Sequence, residues 1–373
     1  VLIIGAGIIG ASIAYHLAQR GVSPVVLVDK DKAGSGSTAS SLGGFRHQFS
    51  NEVSVRLSLE SITSLAKFRE ETGFDPQIRR DGYLFVASTQ RGLEQLTLMA
   101  RLQRSLGVAV TTVSQAELSR TFPFYDFSDV RGGNLCRDDG HASTSSVLQG
   151  YLSKAKELGV RVHEDLEVTG IVKKDGKVSG VVTGRGMIQS EKVVIAAGVH
   201  SRKLAALAGE HVPVDPYPRK ILFTRGVPSG FPQSIPLIVD IDTTLALGKE
   251  GHSMFFSDNI PIESRFELTF PENYDERVIS KAVSRMPALS NLPVGYSVAG
   301  LYEVTPDSNP VISQLLTHGL YCCAGFAGHG FMHAPAAGKL MTEIVLDETP
   351  HLDVSAFRAQ RFDRDMPKER LVI

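Results

Sequence analysis

The segment VLIIGAGIIGASIAYHLAQRGVSPVVLVDKD, residues 1–31, leaves the chain few ways to begin folding. Residues 1–4 are an apolar run closed by glycine, the pattern of a parallel strand covered on both faces. Gly5, Gly7 and Gly10 then form G-x-G-x-x-G. The first glycine permits a sharp turn, the second lets a pyrophosphate approach the backbone, and the third lets a helix pack close to the strand. A helix is predicted over residues 8–20, with Ile9, Ile13 and Leu17 facing the sheet and Gly21 just past its end. Its first-turn amides, at Ile8 and Ile9, face the phosphates. Residues 25–28 are the second strand, followed by Asp29 and Lys30. Asp29 falls 19 residues after Gly10, where this unit needs an acceptor for ribose hydroxyls. A 2′-phosphate would be repelled there, which disfavours NADP. Strand, turn, helix, strand and acid in register predict a dinucleotide site; FAD and NAD both remain open on these residues.

A chain of 373 residues is long enough for two domains, and 42% hydrophobic with 21% charged residues predicts that all of it folds. A net charge of −1 offers no electrostatic attraction for nucleic acid or an anionic membrane, so a small molecule is the expected partner. Cys136, Cys322 and Cys323 fit neither a disulfide framework nor a C-x-x-C metal site; no metal is expected, and a reducing, cytoplasmic setting is. The apolar start is too short to span a bilayer and has no cleavage-site pattern. The chain opens inside a strand without an initiator Met, so residues ahead of Val1 are expected.

Residues 33–51, AGSGSTASSLGGFRHQFSN, have no helical or strand period and read as a loop placed to wrap a ligand. Helices are predicted over 53–72, 91–105 and 146–158, and strands over 82–88 and 192–198. Ser114 and Glu117 have capping-box spacing, and Asp175-Gly176 is a hairpin turn. Residues 216–299 are β-rich with one helix near 276–286. Glycine-rich signals return at 300–312 and 319–346, where a helix is predicted over 334–346. The pattern predicts a cofactor domain built from residues 1–83, 140–215 and 300–373, interrupted by a second domain from 84–139 and 216–299.

The opening motif, GSGSTASSLGGFRHQ, VVIAAGVHS, YEVTPDSNPVI and GFAGHGFMHAPAAG follow one another over nearly the whole chain. Together they resemble the D-amino-acid-oxidase-like flavoproteins, in the branch of sarcosine oxidase, dimethylglycine dehydrogenase, glycine oxidase and the β-subunit of archaeal L-proline dehydrogenase. The resemblance implies an α/β fold, α+β overall, in which a Rossmann-like FAD-binding domain is interrupted by a mainly antiparallel β substrate domain. It implies FAD rather than NAD. It extends the cofactor site from the opening residues to Ser37, Thr38, Ser40, Leu42, Gly43, Gly44 and Phe45 of the loop. Val168, Ala197, Gly198 and Gly300 join it from the middle of the chain, and Gly325, Gly328, His329, Gly330 and Phe331 from the last motif. FAD is long, so one terminal unit can hold only its ADP half; the late helix could then turn its N-terminus towards the flavin.

Arg46 matches the family arginine that pairs with the substrate carboxylate, for which a guanidinium fork is suited; a phosphate-pairing or surface arginine is the alternative. Tyr302 matches an active-site tyrosine, against a core aromatic. His47 matches a family histidine, with structural packing an equal reading. His329 is expected to meet the flavin through its backbone, and His252 to sit in a hairpin turn. Two departures matter. Gly300 and Ser40 stand where relatives carry a cysteine or histidine tether, so FAD is expected to be noncovalent. Met332 follows G-H-G-F, where monomeric sarcosine oxidases have a lysine beside the flavin; loss of that cation implies slow reaction with O2 and a dehydrogenase rather than an oxidase.

The implied activity is FAD-dependent oxidation of a small secondary or N-methyl amino acid, of sarcosine, dimethylglycine or L-proline type, to an imine. Electrons would pass to a partner subunit or electron carrier. One alternative is a D-amino-acid- or glycine-oxidising enzyme. Another is a noncatalytic FAD-containing assembly factor, which GGFRHQFS and GYLFVAS also resemble.

Overall fold

The computed structural model describes residues 1–363 and 368–371. Its first sheet has six strands in the order Val311–Gln314, Leu320–Ala324, Val193–Ile195, Leu2–Ile4, Val26–Val28 and Arg161–His163. All neighbours are parallel except the pair formed by the edge strand Val311–Gln314. Alternation along these strands divides their side chains between two layers. Ile3, Leu27 and Val194 point into a core shared with helices Ile8–Gln19, Glu52–Thr72, Thr144–Glu157 and Gly330–Val345. Leu2, Ile4, Val26 and Val28 point the other way, onto the hairpin strands Val168–Lys174 and Lys177–Thr183 and helix Ser201–Ala206. Burial on both faces is why these strands read as continuous apolar runs.

The second sheet has eight strands, ordered Val294–Val304, Asp215–Thr224, Ser253–Asp258, Leu245–Glu250, Leu237–Asp240, Tyr83–Ala87, Gly132–Cys136 and Val110–Ser114. It is antiparallel apart from the pairing of Leu237–Asp240 with Tyr83–Ala87. Leu84, Val86, Leu222 and Phe256 pack under helix Tyr274–Arg285. Tyr83, Phe85, Phe223 and Phe255 form the opposite face, with Leu42 and Leu371 against it. The expected fold class is present: a mainly parallel Rossmann-like body joined to a mainly antiparallel one.

Local signals act as their chemistry requires. Asn51 caps helix Glu52–Thr72 by accepting the Ser54 amide at 2.9 Å. The Ser114–Glu117 capping box forms, and Asp175 and Gly176 both take positive φ at the hairpin turn. The last helix corrects the sequence reading: it starts at Gly330, four residues before 334, with Pro335 inside it. The proline ring removes one amide, but Phe331, Met332, His333 and Ala334 are all buried, and that packing outweighs the local breaker.

Candidate active site

At the start of the chain the glycines do what the turn demands. Gly5 has φ +108°, and a Cβ there would lie 2.4 Å from the Ala196 carbonyl oxygen. A Cβ on Gly10 would lie 1.8 Å from the Gly5 carbonyl oxygen, so only hydrogen lets the helix seat on the turn. Gly7 caps the helix without a side chain, and the Ile8 amide donates to Thr38 Oγ1 at 3.1 Å. Asp29 spans the turn, accepting the Ala6 amide on Oδ2 at 2.6 Å and the Asp31 amide on Oδ1 at 2.9 Å.

A cavity of about 700 Å³ runs from this turn to the second sheet. Of the residues expected at the cofactor, Gly5, Gly7, Ile8, Ile9, Asp29, Lys30, Ser37, Thr38, Ser40, Leu42, Gly44, Val168, Ala197, Gly198, Gly300, Gly328, His329, Gly330 and Phe331 line it. Helix Gly330–Val345 opens on it with no side-chain cap, so its first amides are free for an outside acceptor. Two helix N-termini at separate places, with a carboxylate beside the first, fit a long dianionic dinucleotide such as FAD.

Four expected cofactor residues stand behind this wall instead. Gly10 is a packing glycine; Gly43, at φ +71°, leaves room for the Ala142 carbonyl, 1.9 Å from where a Cβ would fall. Phe45 is buried in the core of the first body. Gly325, at φ +86°, makes space for the Thr305 methyl.

Arg46 reaches the cavity from a segment held on both sides. Gly44 and Phe45 pair with His141 and Gly140 as two short strands. Buried Asp139 then accepts the His47 amide and ring Nδ1 on Oδ1, each at 2.7 Å, and Gln48 Nε2 on Oδ2 at 3.1 Å. His47, Cys136 and Asp139 converge within 4.8 Å, an arrangement a metal could use, yet here the carboxylate anchors the backbone. His47 does not line the cavity, so its structural reading is the one the geometry supports. Asp139→Ala is expected to lower the unfolding free energy by about 3 kcal/mol, read from the denaturant midpoint, because it orphans buried donors on two neighbouring residues.

The Arg46 side chain is 0% exposed. Nη1 donates to the Gln48 carbonyl at 2.7 Å, and Nη2 donates to the Leu371 carbonyl and lies 2.9 Å from His329 Nε2. The guanidinium stacks 4.3 Å from the Phe49 ring centroid and 5.2 Å from that of Phe85. Its Nε–H has no partner among the described residues. Burial, then the charge of Arg46, holds the His329 pKa well below the usual imidazole range. That neutral ring spends its Nε2 lone pair on Arg46 and is no general base.

Tyr302 lines the cavity from strand Val294–Val304, and a Cβ on Gly328 would lie 2.5 Å from its ring. Burial raises its pKa, so the phenol is neutral and able to donate. A Cβ on Gly300 would lie 2.8 Å from Ser40 Cβ, which brings together the two positions lacking a tether. Met332 lines the same cavity. His252 sits in the turn between Leu245–Glu250 and Ser253–Asp258, away from the cavity.

Sequence reasoning missed Arg219, Tyr83, Phe255 and Glu303, which also line it. Arg219 lies 5.4 Å from the Tyr302 ring centroid, with its Nε–H also lacking a partner among the described residues. One signal was present: Arg219 precedes Ile221 and Phe223 at period two, putting a cation beside two apolar residues on one strand face.

Residues 1–344 match the FAD dependent oxidoreductase family, DAO. The chain is 27% identical over 374 residues to 4-methylaminobutanoate oxidase (formaldehyde-forming) of Paenarthrobacter nicotinovorans, covering 97% of this chain and 45% of that relative, so it spans less than half of that protein's length. It is 27% identical to sarcosine oxidase subunit beta of Rhizobium meliloti (strain 1021), covering 98% of this chain and 88% of that one. The crystal structure of L-proline dehydrogenase from P. horikoshii superimposes with a TM-score of 0.92 at 30% identity, covering 98% of both chains. With its glycine turn, its acid and its two helix N-termini on one cavity, the chain belongs to the DAO family of FAD-dependent oxidoreductases.

Proposed function

We propose that this protein oxidises a small secondary or N-methyl amino acid, of sarcosine, dimethylglycine or L-proline type, to its imine. The carbon next to nitrogen loses its hydrogen with two electrons; a secondary amine also gives up its N–H proton to reach the imine, whereas a tertiary amine of dimethylglycine type leaves an iminium. Bound FAD supplies the acceptor for those electrons. The observation that carries the reading is a pair of arginines, buried Arg46 and half-buried Arg219, lining one cavity with a buried, unpartnered Nε–H on each. Unpaired buried donors are costly, and a carboxylate would satisfy both.

The chain's residues bind and orient. Arg46 and Arg219 hold the carboxylate, Tyr302 offers a phenol, and Leu237, Phe255 and Val298 give an apolar wall that excludes water. With the His329 lone pair engaged by Arg46, the substrate enters as the free amine. Met332 brings no cation to the cofactor, which supports an acceptor other than O2. Glycine at 300 and serine at 40 support noncovalent FAD. A partner subunit suits a chain similar to a protein named as a sarcosine oxidase subunit. The three cysteines are buried free thiols, which suits the cytoplasm, and no helix among the described residues is long and apolar enough to cross a membrane.

Anaerobic titration of the yellow protein with sarcosine, dimethylglycine, L-proline, glycine and D-alanine tests this. Bleaching by the first three and not the last two is expected. Bleaching by glycine or D-alanine alone would replace the substrate class. No bleaching by any of them would sink the catalytic reading in favour of an assembly role.

A further inference from the structure

Glu303 is a half-buried acid that the reading above does not use. It follows Tyr302 on strand Val294–Val304, so its side chain leaves the opposite face of the strand. Oε1 accepts the Phe326 amide at 3.4 Å, with the Gly325 amide beside it. Oε2 is buried and has no partner among the described residues. A Cβ on Gly198 would lie 3.5 Å from Oε2, and one on Gly330 would lie 3.8 Å from Oε1. The carboxyl therefore sits where the glycine after strand Val193–Ile195 meets the start of the last helix. Glu303, Gly198 and Gly330 all line the cavity.

The Gly325 and Phe326 amides favour a charge on it, and burial opposes them more strongly. Its cross-strand partner is Pro216. Cys322 and Cys323, on strand Leu320–Ala324 of the first sheet, lie near enough to feel its charge, and burial raises both thiol pKa values, so both stay neutral. On the flanking elements, Arg202 pairs with Asp215, His329 bonds Arg46, buried His333 has its pKa lowered to about 3, and His200 stacks on Phe266. An ionised carboxylate here would leave its buried Oε2 without a donor, beside the place a dianionic cofactor must occupy.

We propose that Glu303 binds FAD as a neutral carboxylic acid, its Oε2–H donating a hydrogen bond to an oxygen of the cofactor's ribityl-phosphate chain. This rests on the assignment of the cavity to FAD. Burial raises the Glu303 pKa to about 7, against two backbone amides that lower it, so the acid is poised to lose this proton just above neutrality. The sign follows from linkage: cofactor binds the protonated form, so affinity is full well below the pKa and falls as pH rises through it.

The test is release of FAD from the holoprotein on dilution, followed by flavin fluorescence between about pH 6 and pH 9. For the wild type, the apparent Kd should be flat at the acid end. Towards the alkaline end it should climb by about tenfold per pH unit. Glu303→Gln, which keeps a donor that cannot ionise, should hold the acid-end Kd across the whole range. A flat wild-type profile, or a Glu303→Gln profile with the wild-type slope, would overturn the proposal. Calorimetry of FAD binding to the wild type at about pH 8, in two buffers of different ionisation enthalpy, serves if the variant does not fold. Uptake of close to one proton is expected, and no uptake refutes it. A wild-type chain that binds no FAD at any pH would instead remove the cofactor assignment itself, an outcome that either measurement separates from a flat profile.

Discussion

Arg46→Met is expected to raise KM for the amino-acid substrate by about 100- to 1,000-fold while the protein keeps its FAD. Truncating one partner of a buried, hydrogen-bonded charge pair costs on the order of 2–5 kcal/mol, and each 1.4 kcal/mol is tenfold. Arg46 is wholly buried, so no solvent dipole replaces it. Its stacking on Phe49 and Phe85 and its bond to the Gln48 carbonyl hold the fork in place before substrate arrives. The substitution also orphans the Gln48 and Leu371 carbonyls, so some fold stability is lost with the affinity. Arg46→Lys separates the two effects. It keeps the charge and loses the planar fork, and should recover stability more fully than KM. An unchanged KM in either variant, at wild-type flavin content, would place the carboxylate elsewhere, with Arg219 the next candidate on the cavity wall.

Gly10→Val should leave the purified protein colourless or bind FAD at least about 100-fold more weakly. A single Cβ at this position would overlap the Gly5 carbonyl at 1.8 Å, and that obstacle is backbone, not a side chain that can swing aside. Overpacking of this kind costs about 3 kcal/mol or more, here by driving helix Ile8–Gln19 off the turn whose amides face the cofactor. Gly184→Ala is the control, because nothing lies within 4 Å of a Cβ there. The ratio of flavin to protein absorbance reads both. Full yellow colour in Gly10→Val would mean that the close packing of helix on turn is not what forms the cofactor's phosphate seat.

The cofactor end was legible because its constraints are local. Turn, helix N-terminus and Asp29 lie within about thirty residues, and each needs a residue type that few others can replace. The loop from 33 to 51 was recognisable as a wrapping segment, yet Phe45 and Gly43 turn inward from it. Which residues of a non-periodic loop face a ligand depends on what packs behind them, here Asp139 and the short strand pair with Gly140 and His141. The start of the last helix was misplaced for a related reason. A proline argues locally against helix, and only the neighbouring core shows that burial prevails.

By itself the sequence determined that a dinucleotide-binding strand–turn–helix opens the chain and that both bodies have their present fold class, and its family resemblance pointed to Arg46 and Tyr302, which line one cavity. Local sterics and strand period suffice for the first two, and the order of motifs along the chain for the third. Only the tertiary structure decided that Arg219 and Glu303 join them. Each is an ionisable residue in an extended strand, and its place on the cavity follows from neighbours roughly eighty to a hundred positions away, as between Arg219 and Gly300 or Glu303 and Gly198. Local sequence carries no record of such a neighbour; the free-energy cost of an unpaired buried group, and hence its use, exists only once the sheets have closed around it.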